Sequence, residues 1–114
     1  MNWFQRILFP RQRFRIIDAN DELRTLFMSD LPNCSLELRE RGVLIRFSTN
    51  QESYGLALPY RMLSVFKGSD YLQIYGGKWR VKMITNGSGI DHKIIRKMLQ
   101  MKYQATVNMG SYYG

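Results

Sequence analysis

From Ser35 to Ile84 the chain consists of short runs in which apolar residues fall at every second position, and from Asp91 their spacing becomes that of a helix. Side chains alternate across a strand but recur every 3.6 residues around a helix. This single change of period therefore restricts the fold to antiparallel strands covered by one following helix. In "SLELRERGVLIRFS" (35–48) a turn at Arg41-Gly42 opposes Glu40 with Val43, Leu38 with Ile45 and Leu36 with Phe47. That pairing gathers every apolar residue but Leu44 on one face. On the other face it sets Glu37 beside Arg46, an ion pair that partly neutralises Arg46 as an anion ligand. "YGLAL" (54–58) and "RMLSVF" (61–66) flank Pro59, which has no place inside a central strand and marks a corner. "YLQIYGGKWRVKMI" (71–84) reads as a hairpin turning at Gly76-Gly77, with Tyr75 opposite Lys78, Ile74 opposite Trp79, Gln73 opposite Arg80, Leu72 opposite Val81 and Tyr71 opposite Lys82. Six strands are legible in all.

Two helices complete the pattern. Asp21 can cap a short one carrying Leu23, Leu26 and Phe27, with Pro32 beyond its end. Asp91, after the flexible "NGSG", caps the second, where Ile94, Ile95, Met98, Leu99 and Met101 share one side and Lys93, Arg96, Lys97 and Gln100 the other. The fold class is α+β: an antiparallel meander, or partly closed barrel, with a C-terminal amphipathic helix and a short helix near the N-terminus. The expected organisation is a basic, aromatic segment at 1–15, one domain at 16–103, and an uncharged tail at 104–114 that is frayed or used by a neighbour.

Charge is unevenly spread along the 114 residues. The formal net charge is +8; residues 1–15 contain four arginines and no acid, residues 16–40 are acidic, and the basic excess returns after residue 41. Such a balance favours anionic partners, phospholipid headgroups or nucleic acid, and serves solubility equally well. Cys34 is the one cysteine, which excludes an intrachain disulfide and fits a reducing compartment. Arg6 and Arg11 interrupt the apolar start, so no secretory signal is read there, and the expected location is cytoplasmic, at the inner membrane face if the chain is anchored.

Two surfaces are candidates for binding. The hairpin face of Tyr71, Tyr75, Lys78, Arg80 and Lys82 joins aromatic and cationic groups, as a single-stranded nucleic-acid platform requires, and reads equally as a solvated sheet face. In "MNWFQRILFPRQRFR", Trp3, Phe4, Ile7 and Leu8 cluster on one side of a helical segment ending at Pro10. Arg11, Arg13 and Arg15 then follow, where they could meet anionic headgroups. A segment packed on the domain or on a partner is the other reading. Catalytic chemistry has little to stand on. His92 and Cys34 are remote singletons, no metal-ligand spacing is present, and "NGSG" lacks the Gly-Lys-Ser/Thr ending of a phosphate loop. The expectation is a non-enzymatic module without metal, cofactor or small-molecule substrate, whose partner is a protein, a second copy, an anionic membrane or a nucleic acid.

The strand-then-helix order, with "LPYRMLSVFKGSDYLQIYGGKWRVKMI" (58–84) followed by "IDHKIIRKMLQ" (90–100), resembles the bacterial members of the pleckstrin-homology-like superfamily over residues 54–103. The shared features are a Pro-Tyr corner, a strand with "SV", a short alternating hairpin and a final helix whose apolar residues plug the sheet. The resemblance implies seven strands, the seventh drawn from "RFRII" (13–17) or from a split in one of the six, and an adaptor or assembly role. In lipid-binding members the basic ligands lie around the first strand-to-strand loop, which this reading equates with Arg39, Arg41 and Arg46, interleaved with Glu37 and Glu40.

Overall fold

A computed structural model describes residues 10–49, 52–87 and 89–113, with side chains as far as Val107. Seven strands run through them: β1 (Arg11–Ala19), β2 (Asn33–Leu38), β3 (Gly42–Ser48), β4 (Ser53–Pro59), β5 (Leu63–Lys67), β6 (Tyr71–Gly76) and β7 (Trp79–Ile84). Helix α1 (Asp21–Phe27) lies between β1 and β2, a 3-10 turn (Tyr60–Met62) between β4 and β5, and helix α2 (His92–Tyr113) follows β7. The seventh strand is thus β1, and it contains "RFRII". The strands form one antiparallel sheet in the order β4-β3-β2-β1-β7-β6-β5. Its edges, β4 and β5, are not laddered to each other among the described residues, so of the two expected forms, open meander or partly closed barrel, the sheet is the open one. Pro59 marks the place where the chain leaves one edge and crosses to the other.

One face of the sheet is the core. Phe14, Leu36, Ile45, Leu72, Ile74 and Met83 are buried on it, and Ile94 and Met98 of α2 are fully buried against it. Each such side chain stabilises the fold by roughly 1.5–3 kcal/mol. The α2 stripe runs through Ile94, Met98, Met101 and Ala105, with Ile95 at its flank. Leu99 does not belong to it: one residue beyond Met98 it is rotated by about 100°, and it is 47% exposed. Nor does the helix end before Gln104. Ala105 continues the packed stripe and the Thr106 hydroxyl donates to the Lys102 carbonyl, so lack of charge in the tail is not lack of structure. Domain limits at 16 and 103 both fall inside elements.

Both hairpins are displaced from the expected register. Gly77, at φ 57°, is the first residue of a Gly77-Lys78 turn, so Gly76 pairs with Trp79, Tyr75 with Arg80 and Leu72 with Met83. A positive φ at that position is what a two-residue hairpin turn demands, and glycine supplies it without strain. In the other hairpin Leu38 pairs with Val43 and Leu36 with Ile45, because the Arg39 N–H donates to the Gly42 carbonyl and closes the turn around Glu40-Arg41, one residue earlier. Each displacement moves the pairing by two residues, so the expected faces survive.

Helix α1 is capped by Asn20; Asp21 is its first residue, where a carboxylate suits the helix dipole. The Asn20 side chain accepts from the Arg80 N–H and its own N–H donates to the Arg80 carbonyl, tying the start of α1 to β7. Leu23 and Phe27 are the buried residues of α1. The Phe27 ring meets that of Phe47 edge-on at 4.9 Å. At the other end of α2, Asp91 caps as expected, its carboxylate accepting from the Lys93 N–H at 2.9 Å.

Candidate functional site

β1 occupies the centre of the sheet, and its alternation turns Phe14 and Ile16 inward while Arg11, Arg13 and Arg15 are exposed on the outer face. A bulge between Ile16 and Asp18 resets that alternation. Without it Asp18 would follow Phe14 and Ile16 into the core; with it Ala19 takes the inward place and Asp18 sits opposite Lys82 on the outside. There Asp18 accepts from Arg80 Nη1 at 2.8 Å and lies 3.6 Å from Arg24. The Arg80 hydrogen bond, the Ala19 N–H and the two guanidinium charges hold its carboxyl below the usual range against the opposing effect of burial.

The structure brings Tyr71, Tyr75, Arg80 and Lys82 to one side of the β6–β7 hairpin, while Lys78 lies in its turn. Each of these groups is engaged. Arg80 is bound to Asp18 and to the Ala19 carbonyl, and Lys78 pairs with Glu22 at 3.1 Å and lies 4.9 Å above the Trp79 ring. Lys82 sits 4.4 Å over the Tyr71 ring, and Tyr75 takes a hydrogen bond from Gln73 and an edge contact from Phe66. As a stacking and phosphate platform, therefore, the hairpin has two cations already paired with acids and its tyrosines covered by neighbours.

The other half of the outer face differs. Across the strands Arg13 is opposite Ser35, Ser35 opposite Arg46 and Arg46 opposite Gly55. Glu37 binds Arg46 Nε and Arg39 Nη2, both at 2.9 Å, so the expected Glu37–Arg46 pair forms and Arg39 joins it. Among the described residues none of the ion pairs includes Arg11, Arg13 or Arg15. Arg13 and Arg46 also border a shallow concavity of about 510 Å³ with Asn33, Ser35, Ser48 and Ser53. A neighbouring one of about 610 Å³ is acidic, carrying Asp30 and Glu52 beside Phe27 and Tyr54.

No protein-family model, curated protein or solved structure matches this chain.

The remaining candidates are quickly placed. Trp3, Phe4, Ile7 and Leu8 lie outside the described residues. Cys34 is buried on β2, where burial pushes its thiol up to about 12, and His92 is exposed in the first turn of α2. Among the described residues no group of three His, Cys, Asp or Glu side chains could hold a metal ion, and no helix is long and apolar enough to cross a membrane. The basic loops expected from the family resemblance are displaced as well. With β1 at 11–19, the first strand-to-strand connection is the acidic segment bearing Asp21, Glu22 and Asp30, while Arg39 and Arg41 belong to the second. The sequence reading missed the Arg13–Ser35–Arg46 row. Its signal was arginine at every second position from 11 to 15, which on a strand puts all three on one face.

Proposed function

We propose that the chain is a non-enzymatic, pleckstrin-homology-like interaction module that docks on an anionic membrane surface, at the inner face of the cytoplasmic membrane, through the outer face of its sheet. The observation that carries this reading is the row of Arg11, Arg13 and Arg15 on the central strand, exposed and outside the ion pairs of the described residues. Basic side chains beside an anionic leaflet contribute about 1 kcal/mol each, so three on one face give a useful but reversible attraction. Nucleic-acid stacking is the less favoured alternative, because Tyr71 and Tyr75 have their neighbours already against them.

Co-sedimentation with vesicles tests the proposal. Phosphatidylserine vesicles should pellet the protein, phosphatidylcholine vesicles should not, and high salt should release it. Equal pelleting with both lipids would overturn it, and tight, salt-sensitive retention of a single-stranded oligonucleotide with no vesicle binding would favour the alternative.

A further inference from the structure

We propose that strand β4 is the seam of a twofold dimer, in which it pairs with β4 of a second copy and joins the two sheets into one. The phase of the β3–β4 ladder decides which backbone groups are on offer. The Thr49 N–H donates to the Glu52 carbonyl at one end, and the Tyr60 N–H to the Arg41 carbonyl at the other. Bonded and non-bonded pairs alternate in an antiparallel ladder. Tyr54, Leu56 and Leu58 are therefore the residues bonded to β3, and Ser53, Gly55 and Ala57 aim their N–H and carbonyl groups away from the sheet. β4 is an edge, those three residues are exposed, and among the described residues no protein group bonds to their backbone. Edge strands are ordinarily guarded by charge, a bulge or proline. β4 has no charged residue, its register with β3 is unbroken from Gly42–Pro59 to Ser48–Ser53, and Pro59 stands only at its end. The opposite edge is better protected: β5 ends in Lys67, and its Leu63 N–H is already donated to the Tyr60 carbonyl.

This edge is complementary to itself. With the axis through Gly55, Ser53 faces Ala57 of the second copy, Gly55 faces Gly55 and Ala57 faces Ser53, and each pair exchanges two bonds. Moving the axis to Leu56 sets Pro59, which has no N–H, against Ser53; moving it to Tyr54 carries Ala57 past the strand's end. On the outer face the facing side chains are small. On the inner face Tyr54 comes beside Leu56 of the second copy, and both are only partly buried without it. Charge favours the same arrangement. Glu52 at one end of β4 and Arg61 just beyond the other are exposed and outside the ion pairs of the described residues, and antiparallel pairing brings each toward its opposite. The axis is perpendicular to the sheet, so the two outer faces, each with its Arg11–Arg13–Arg15 row, look to the same side. One short strand and two apolar side chains from each copy make a small interface, so the dimer depends on concentration.

Analytical ultracentrifugation of the full chain over a concentration series, without lipid, tests the seam. The expected result is a reversible monomer–dimer equilibrium with no larger species. Ala57→Pro removes an N–H that the chain itself does not use. Gly55→Lys sets like charges opposite each other at the axis, and the added β-carbon meets the Leu44 δ-carbon at 3.1 Å, a side-chain tip that can yield. Each should weaken dimerisation roughly tenfold or more with far-UV circular dichroism unchanged, whereas Ser64→Lys on β5 should leave it intact. If Ala57→Pro does not fold, Gly55→Lys decides. Gly55→Cys should link two copies by a disulfide under mild oxidation, because the α-carbons of a bonded pair lie about 5.5 Å apart, and Ser64→Cys should not. A chain still monomeric at about 1 mM would overturn the seam. So would a dimer indifferent to both Ala57→Pro and Gly55→Lys, or cross-linking of Ser64→Cys as readily as of Gly55→Cys. Open-ended growth blocked by Ser64→Lys, the mark of head-to-tail pairing between β4 and β5, would overturn the twofold arrangement.

Discussion

The hydroxyl of Tyr60 donates a hydrogen bond of 2.6 Å to the carbonyl oxygen of Arg39, joining the crossover between the two sheet edges to the turn between β2 and β3. The Tyr60 N–H adds a bond of 3.1 Å to the Arg41 carbonyl of the same turn. The ring is 1% exposed, so the contact lies inside the fold rather than on its rim.

Tyr60→Phe should therefore cost about 1–2 kcal/mol, since it leaves a carbonyl without its partner while keeping the ring's packing. Urea unfolding would show a lower midpoint with an unchanged slope. Burial pushes the Tyr60 phenol up to about 12, above its unfolded value near ~10. The associated stability is complete below the unfolded value and is lost as pH rises through the folded one. Absorbance titration should show a tyrosine ionising well after the exposed ones, and Tyr60→Phe should remove that late step.

Gly42→Ala should be more damaging. A β-carbon at residue 42 would lie 2.3 Å from the Leu58 carbonyl oxygen and 2.8 Å from the Pro59 α-carbon, so backbone rather than a side chain would have to yield. A loss of several kcal/mol, or failure to fold, is expected at the high end of single-substitution effects. An expressed variant with wild-type thermal stability would contradict the close β3–β4 approach.

The Asp18–Arg80 bond gives an acid-side signature. Its folded-state carboxyl titrates below the unfolded value, so its stabilisation is present above that unfolded value and disappears as pH falls through the folded one. Asp18 is 39% exposed, and solvent screening keeps the contribution below about 1 kcal/mol. Asp18→Asn should narrow the stability difference between pH 7 and pH 3 by that small amount, measured by chemical denaturation at the two pH values.

Cys34 should behave as a packed apolar residue. With its thiol pushed up to about 12 by burial and 5% of its surface exposed, it should resist a disulfide-exchange reagent in the native protein and react promptly in denaturant. Prompt reaction of the native thiol at pH 8 would contradict the packing around β2.

Much of the fold was legible because period alone determines faces. The alternations of Leu36, Leu38, Val43 and Ile45, and of Leu72, Ile74, Trp79 and Val81, identified the core side even though both hairpin turns were misplaced, since a displacement of two residues preserves the face. The bulge at Ile17 could not be read, because it depends on the pairing of β1 with β7, a contact between residues more than sixty positions apart. For the same reason Arg80 looked like an anion ligand when its partner is Asp18. Conversely, the Arg13–Ser35–Arg46 row exists only through the strand order, which places β1 beside β2.

Binding to phosphatidylserine vesicles by Arg11→Gln with Arg15→Gln, compared with the unaltered chain, tests the docking surface most directly. Both positions are exposed on β1, so the core is not disturbed. At about 1 kcal/mol per arginine the partition coefficient should fall roughly thirtyfold, with unfolding midpoint unchanged. A double variant that partitions as strongly as the parent would contradict membrane docking through this face of the sheet.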